Sequence, residues 1–69
     1  MDKVDYVLRE LPVSVVVIFR FIKDNPGTCL EVIRENTGYS IVSIRRFIRT
    51  LQCANLIVID FSDKAYYAK

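Results

Sequence analysis

The chain has 69 residues, with ten Lys/Arg, eight Asp/Glu, no histidine and two cysteines. That length makes one domain rather than two, and one whose core is marginal, since a chain of this size buries only about 60% of its unfolded surface. With no histidine and no C-x-x-C pair there is no donor set for a zinc site, and the formal net charge of +2 is, as a total, a weak signal for nucleic acid.

The distribution of that charge says more than its sum. Residues 1–35 hold five Lys/Arg against six Asp/Glu, net −1; residues 36–69 hold five against two, net +3. The positive excess therefore lies in the C-terminal half, and attraction to phosphate depends on such a local field.

Taken in order, residues 2–10 read as a short helix capped by Asp2, with Val4, Val7, Leu8 and Leu11 on one side. Pro12 disfavours a helical residue before it, so Leu11 marks a boundary and residues 1–11 form an N-terminal helical extension. Residues 13–24 are rich in β-branched side chains, which by propensity alone suggest a strand. Their length, the proline at their start and the stop at Asn25-Pro26-Gly27 favour a helix. On that helix Val15, Ile18, Phe19 and Ile22 share one face. Val13, Val17 and Phe21 form a second apolar stripe with Val16 beside it. The second stripe needs a cover, either the N-terminal helix or another copy of the chain. Val4, Val7, Leu8, Val13, Val17 and Phe21 are thus the candidate surface of a homodimer.

Thr28-Cys29-Leu30-Glu31 has the form of a capping box, in which Thr28 caps a helix over residues 29–37 and Glu31 reaches back. Leu30, Ile33, Val32 and Thr37 are its inward candidates. Gly38 suits the left-handed residue that ends a helix, Tyr39 fills the gap between two helices, and Ser40 caps the next, over residues 41–54. That helix carries Arg45, Arg46 and Arg49 opposite Ile44, Phe47, Ile48 and Leu51. Two helices, a glycine turn and a basic second helix make a helix-turn-helix over residues 28–54, a motif whose second helix, in its DNA-binding forms, enters the major groove. Asn55 sits where a left-handed residue is expected. Residues 56–61 are a β-branched strand, Ser62-Asp63-Lys64 a polar turn, and Ala65-Tyr66-Tyr67-Ala68 a second strand with one tyrosine inward and one outward.

The stretch TCLEVIRENTGYSIVSIRRFIRTLQCANLIVI resembles the core of winged-helix transcription regulators. It is most like the arsenic-resistance and multiple-antibiotic-resistance regulator types and small archaeal or archaeal-virus relatives, and the resemblance covers residues 13–68. It implies an α+β, mostly helical winged helix-turn-helix as a single domain over residues 1–69, with the hairpin 56–68 as the wing. It also implies that Ser40 opens the recognition helix and that Ile41, Val42, Ser43, Arg45, Arg46 and Arg49 face the groove. Three departures matter. Asparagine stands at position 55 where such proteins commonly have glycine, Lys64 is the only basic residue in a short wing turn, and the metal-sensing cysteines and histidines are missing.

The function expected from these features is sequence-specific binding of double-stranded DNA by a small transcription regulator. An arginine fork can grip guanine edges or clamp phosphates; one division gives Arg46 to bases and Arg45 and Arg49 to backbone. Ile41 and Val42, if exposed, meet thymine methyl groups or mark a protein-binding patch. Ser40, Ser43 and Thr28 are candidates for phosphate contact, although capping alone accounts for Ser40 and Thr28. The rival reading is a protein-interaction winged helix that never touches DNA. Cys29 and Cys53 read as reduced, small apolar residues, with a disulfide the other open state. The start of the chain has no signal-peptide pattern, and the apolar run from Val13 is cut by Arg20, far short of the roughly 20 residues a membrane span needs. A soluble cytoplasmic, nucleoid-associated protein is expected. No nucleophile–base pair or phosphate loop appears, so neither catalysis nor a cofactor nor a small-molecule ligand is expected.

Overall fold

The computed structural model describes residues 11–69. Among these residues three helices are followed by a two-stranded antiparallel hairpin: α1 (Val13–Asp24), α2 (Leu30–Thr37), α3 (Ile41–Cys53), β1 (Ile57–Asp60) and β2 (Ala65–Ala68). The expected helix over 2–10, with Val4, Val7 and Leu8, lies outside the described residues.

α1 is helical despite its β-branched sequence, and burial is the reason. Val15, Ile18, Phe19 and Ile22 are all buried. Their 3–4-residue spacing puts all four on one helical face, whereas a strand would send Val15 and Phe19 to one side and Ile18 and Ile22 to the other. Pro12 takes the N-cap position, and its carbonyl accepts hydrogen bonds from the Val15 and Val16 N–H groups at 3.0 and 3.2 Å. Asn25 ends the helix, its side-chain Nδ2 donating to the Phe21 carbonyl at 2.9 Å. The same face meets α3, whose Ile44, Ile48 and Leu51 are buried, and Ile33 of α2 and Leu56 and Ile57 before and in β1 close the core. No helix among the described residues is long and apolar enough to cross a membrane.

The turn between α2 and α3 forms as its residues dictate. Gly38 has φ 80°, and its N–H donates to the Arg34 carbonyl at 3.0 Å. Tyr39 packs edge-on against Phe47, ring centroids 5.4 Å apart. Ser40 then caps α3, its Oγ accepting from the Ser43 N–H at 3.2 Å. Asn55 takes the left-handed conformation expected of it, with φ 62°, and its side-chain oxygen accepts from Lys69 Nζ.

The start of α2 differs from the expected capping box. Cys29, in extended conformation, is the N-cap, and no side chain caps the helix. Thr28 is committed elsewhere. Its backbone forms a one-residue bridge with Tyr66, the Gly27 N–H donating to the Tyr66 carbonyl and the Tyr66 N–H to the Thr28 carbonyl, both at 2.9 Å. The hairpin, paired Ile57↔Ala68 through Asp60↔Ala65, is thereby stitched to the α1–α2 connection. Val32, an inward candidate, is exposed instead, while Thr37 is half-buried with its hydroxyl bonded to the Ile33 carbonyl at 2.6 Å.

Gly38 offers a clean test of the turn. A Cβ there would meet nothing within 4 Å, so only backbone strain opposes a side chain. Gly38→Ala should cost about 1–2 kcal/mol and lower Tm by about 4–8 °C per kcal/mol, read by thermal unfolding followed by circular dichroism. An unchanged Tm would contradict a left-handed residue 38.

Candidate nucleic-acid interface

α3 presents its buried stripe to the core and the rest of its surface to solvent. Val42, Arg45, Arg46 and Arg49 are exposed. At about 100° per residue, Arg49 lies between the other two arginines, ~40° from Arg45 and ~60° from Arg46. Val42 falls in the same arc and is 70% exposed. Ile41 is half-buried, so of the two apolar candidates only Val42 stands free.

The surroundings of the three arginines differ. Arg46 and Arg49 line one shallow groove along α3 with Thr50 and Cys53. Arg45 instead faces a cleft of about 290 Å³ between the start of α2 and the hairpin, shared with Cys29, Leu30, Glu31, Ile59, Phe61, Lys64 and Tyr66. Arg45 and Arg49 keep the shared face that their four-residue spacing gives them, and Arg45 in addition borders the cleft beside the hairpin.

Charge in the cleft is mixed. The Glu31 carboxyl is held below its ordinary range, first by its own backbone N–H at the helix start, then by the Cys29 thiol and the charges of Arg34 and Lys64. Burial pushes the Tyr66 hydroxyl up, and nearby Arg45 partly offsets this. Lys64 is exposed at the hairpin tip, with φ 54°.

The remaining candidates separate clearly. Ser40 and Ser43 are bonded to each other, Ser40 Oγ donating to Ser43 Oγ at 3.1 Å, and serve the cap. Thr28 cannot contact a phosphate: it is buried, and its Oγ1 has neither solvent contact nor a hydrogen-bond partner. Cys29 and Cys53 are both free thiols; Cys53 is exposed on the arginine groove and is not a packed apolar residue. On α1, Val13 is 80% and Val17 40% exposed, as a second apolar stripe requires. Phe21 departs from that stripe, half-buried and packed against the chain's own core. Among the described residues no group of three metal-capable side chains occurs.

One residue escaped the sequence reading. Phe61 belongs to the turn, not the strand, and is 77% exposed. The signal was Asp60 two residues before Ser62: its Oδ1 accepts from the Ser62 and Asp63 N–H groups at 3.0 and 3.3 Å, closing an Asx-type turn that ends β1 early.

Compared with known proteins, the chain matches no family model, no curated protein and no solved structure.

Thr28 separates stability from binding. Thr28→Val removes a buried, unpartnered hydroxyl while keeping the shape, so it should stabilise the fold by about 1 kcal/mol and, if the domain binds DNA, leave that affinity unchanged. Denaturant unfolding and an anisotropy titration check both; weaker binding by a stably folded variant would restore Thr28 to the interface.

Proposed function

We propose that the chain is a winged helix-turn-helix domain that binds double-stranded DNA sequence-specifically as a small transcription regulator, with α3 in the major groove and the hairpin as the wing. The observation that carries this reading is the arc of Arg45, Arg46 and Arg49, all exposed on the helix that follows the glycine turn and all directed away from its buried stripe. Arginine's planar fork suits both guanine edges and phosphates. We assign Arg46 to base contact and Arg45, which borders the cleft beside Lys64 and the hairpin, to the phosphate backbone. Val42, central in the arc, suits a thymine methyl.

A protein-docking domain is the second reading, favoured by the same exposed Val42 and by the low net charge. Anisotropy of a labelled mixed-sequence duplex, titrated at several salt concentrations, decides between them. DNA binding predicts salt-sensitive association that the triple variant Arg45→Ala, Arg46→Ala, Arg49→Ala loses. Arg46→Ala should cost about 1–3 kcal/mol and relax preference at one base pair. Arg45→Ala should weaken binding to all sequences and reduce the salt slope by about one unit. No association at low salt would make protein docking the leading reading.

We further propose that the domain acts as a homodimer through the exposed α1 stripe of Val13 and Val17, together with Val4, Val7 and Leu8, reading two half-sites about one helical turn apart. Sedimentation equilibrium should then give twice the 8.0 kDa chain mass, and Val13→Glu with Val17→Glu should restore the monomer. A monomer of the natural sequence at high micromolar concentration would end this part of the proposal.

A further inference from the structure

The DNA-binding reading leaves the most exposed aromatic ring of the described chain without a role. Phe61 stands at the hairpin tip, 77% exposed, where an apolar ring gains nothing from solvent. The tip is braced. Asp60 Oδ1 holds the Ser62 and Asp63 N–H groups, and Lys64 turns back into β2 through the left-handed region. Phe61 is thus mounted on a short turn whose backbone is hydrogen-bonded, so little loop ordering remains to be supplied on contact.

The tip is poorly suited to grip phosphate. Asp63 and Lys64 are adjacent and opposite in charge, and the Asp60 carboxylate is engaged within the turn. What the tip offers is the ring. It is also placed with α3: Phe61, Lys64 and Arg45 border the same cleft. The ring therefore lies on the side of the molecule where Arg45 leaves α3.

Resting on the DNA-binding reading, we propose that Phe61 is a wedge: the hairpin tip enters the minor groove beside the α3 contact, and the phenyl ring inserts at a flexible pyrimidine–purine step and kinks the duplex. Minor-groove proteins use apolar side chains in this way, bending DNA by roughly 20–90° toward the major groove. Steps such as TA and CA unstack most readily, so the wedge adds sequence preference without a base-edge hydrogen bond.

The test uses the full chain and a mixed-sequence duplex carrying 2-aminopurine at a TA step and a donor–acceptor dye pair at its ends. On binding, 2-aminopurine emission should rise and the end-to-end distance should shorten. Phe61→Ala should abolish both and weaken binding about tenfold, the size of an aromatic–base stacking contact. Its salt slope should stay unchanged, because no phosphate contact is lost. Phe61→Leu, which keeps an apolar wedge, should retain most of the bend. Circular dichroism confirms that the variants remain folded. Binding by the natural sequence with neither emission rise nor bend overturns the wedge and leaves the DNA reading intact, as does a folded Phe61→Ala variant that bends DNA equally. Absence of any binding overturns the DNA reading and the wedge with it.

Discussion

Two backbone hydrogen bonds, between Tyr66 and the Gly27–Thr28 pair, hold the hairpin against the helices, and the arrangement of the exposed surface depends on them. A two-stranded hairpin is marginal alone. Here it gains a one-residue third strand from the α1–α2 connection, and a further anchor where the Lys69 N–H donates to the Leu56 carbonyl at 2.9 Å. The bridge has consequences on both sides. It takes Thr28 out of the helix cap, burying its hydroxyl without a partner and shifting the start of α2 to Cys29. It also requires the chain to turn tightly at Gly27, which has φ 85° and carries the Tyr67 ring above it, with a Cβ there 3.5 Å from the Tyr67 hydroxyl. In return the hairpin is fixed against α1 and α3, and a cleft is left between it and the start of α2.

What was legible in the sequence follows from range. The Gly38-Tyr39-Ser40 turn is decided by neighbours within a few residues: a left-handed glycine, an edge-on aromatic contact and a serine cap. Helical spacing likewise identified Val15, Ile18, Phe19 and Ile22 against the strand propensity of α1, because burial on one face outweighs local preference. The bridge at Thr28 was not legible. A single paired residue has no period, and its partner lies 38 positions away. The Thr-x-x-Glu pattern instead imitates a capping box whose threonine is needed elsewhere. That Arg45 borders a cleft depends on where the hairpin lies, and so could not be read from α3 alone. Phe61 was hidden because an aromatic residue after four strand residues extends the pattern, while the Asp60 side chain ends it.

A charge of +2 sets bounds on any DNA contact. Were Arg45, Arg46 and Arg49 all to meet phosphate, about three phosphates would be neutralised per chain, a salt slope near −2.7. Such a contact is weak at physiological salt unless something other than counterion release adds to it. Two routes are open to this chain. Duplication through the α1 stripe doubles the phosphate count without adding charge to the monomer. Apolar contact at Val42 and Phe61 adds a term that salt does not screen.

These routes differ in what they demand of the fold. Duplication requires the exposed Val13–Val17 stripe to be buried in a pair, which also helps a core that is small for independent stability. Apolar contact requires that Val42 and Phe61 stay exposed, at the cost of a surface prone to nonspecific association. Both exposed sets occur, on separate elements: Val13 and Val17 on α1, Val42 and Phe61 on α3 and the hairpin tip. The low formal charge favours protein docking only if neither route is taken. On the DNA-binding proposal, a charge of +2 calls for few, mostly unscreened contacts, and for a second copy if affinity is to be high.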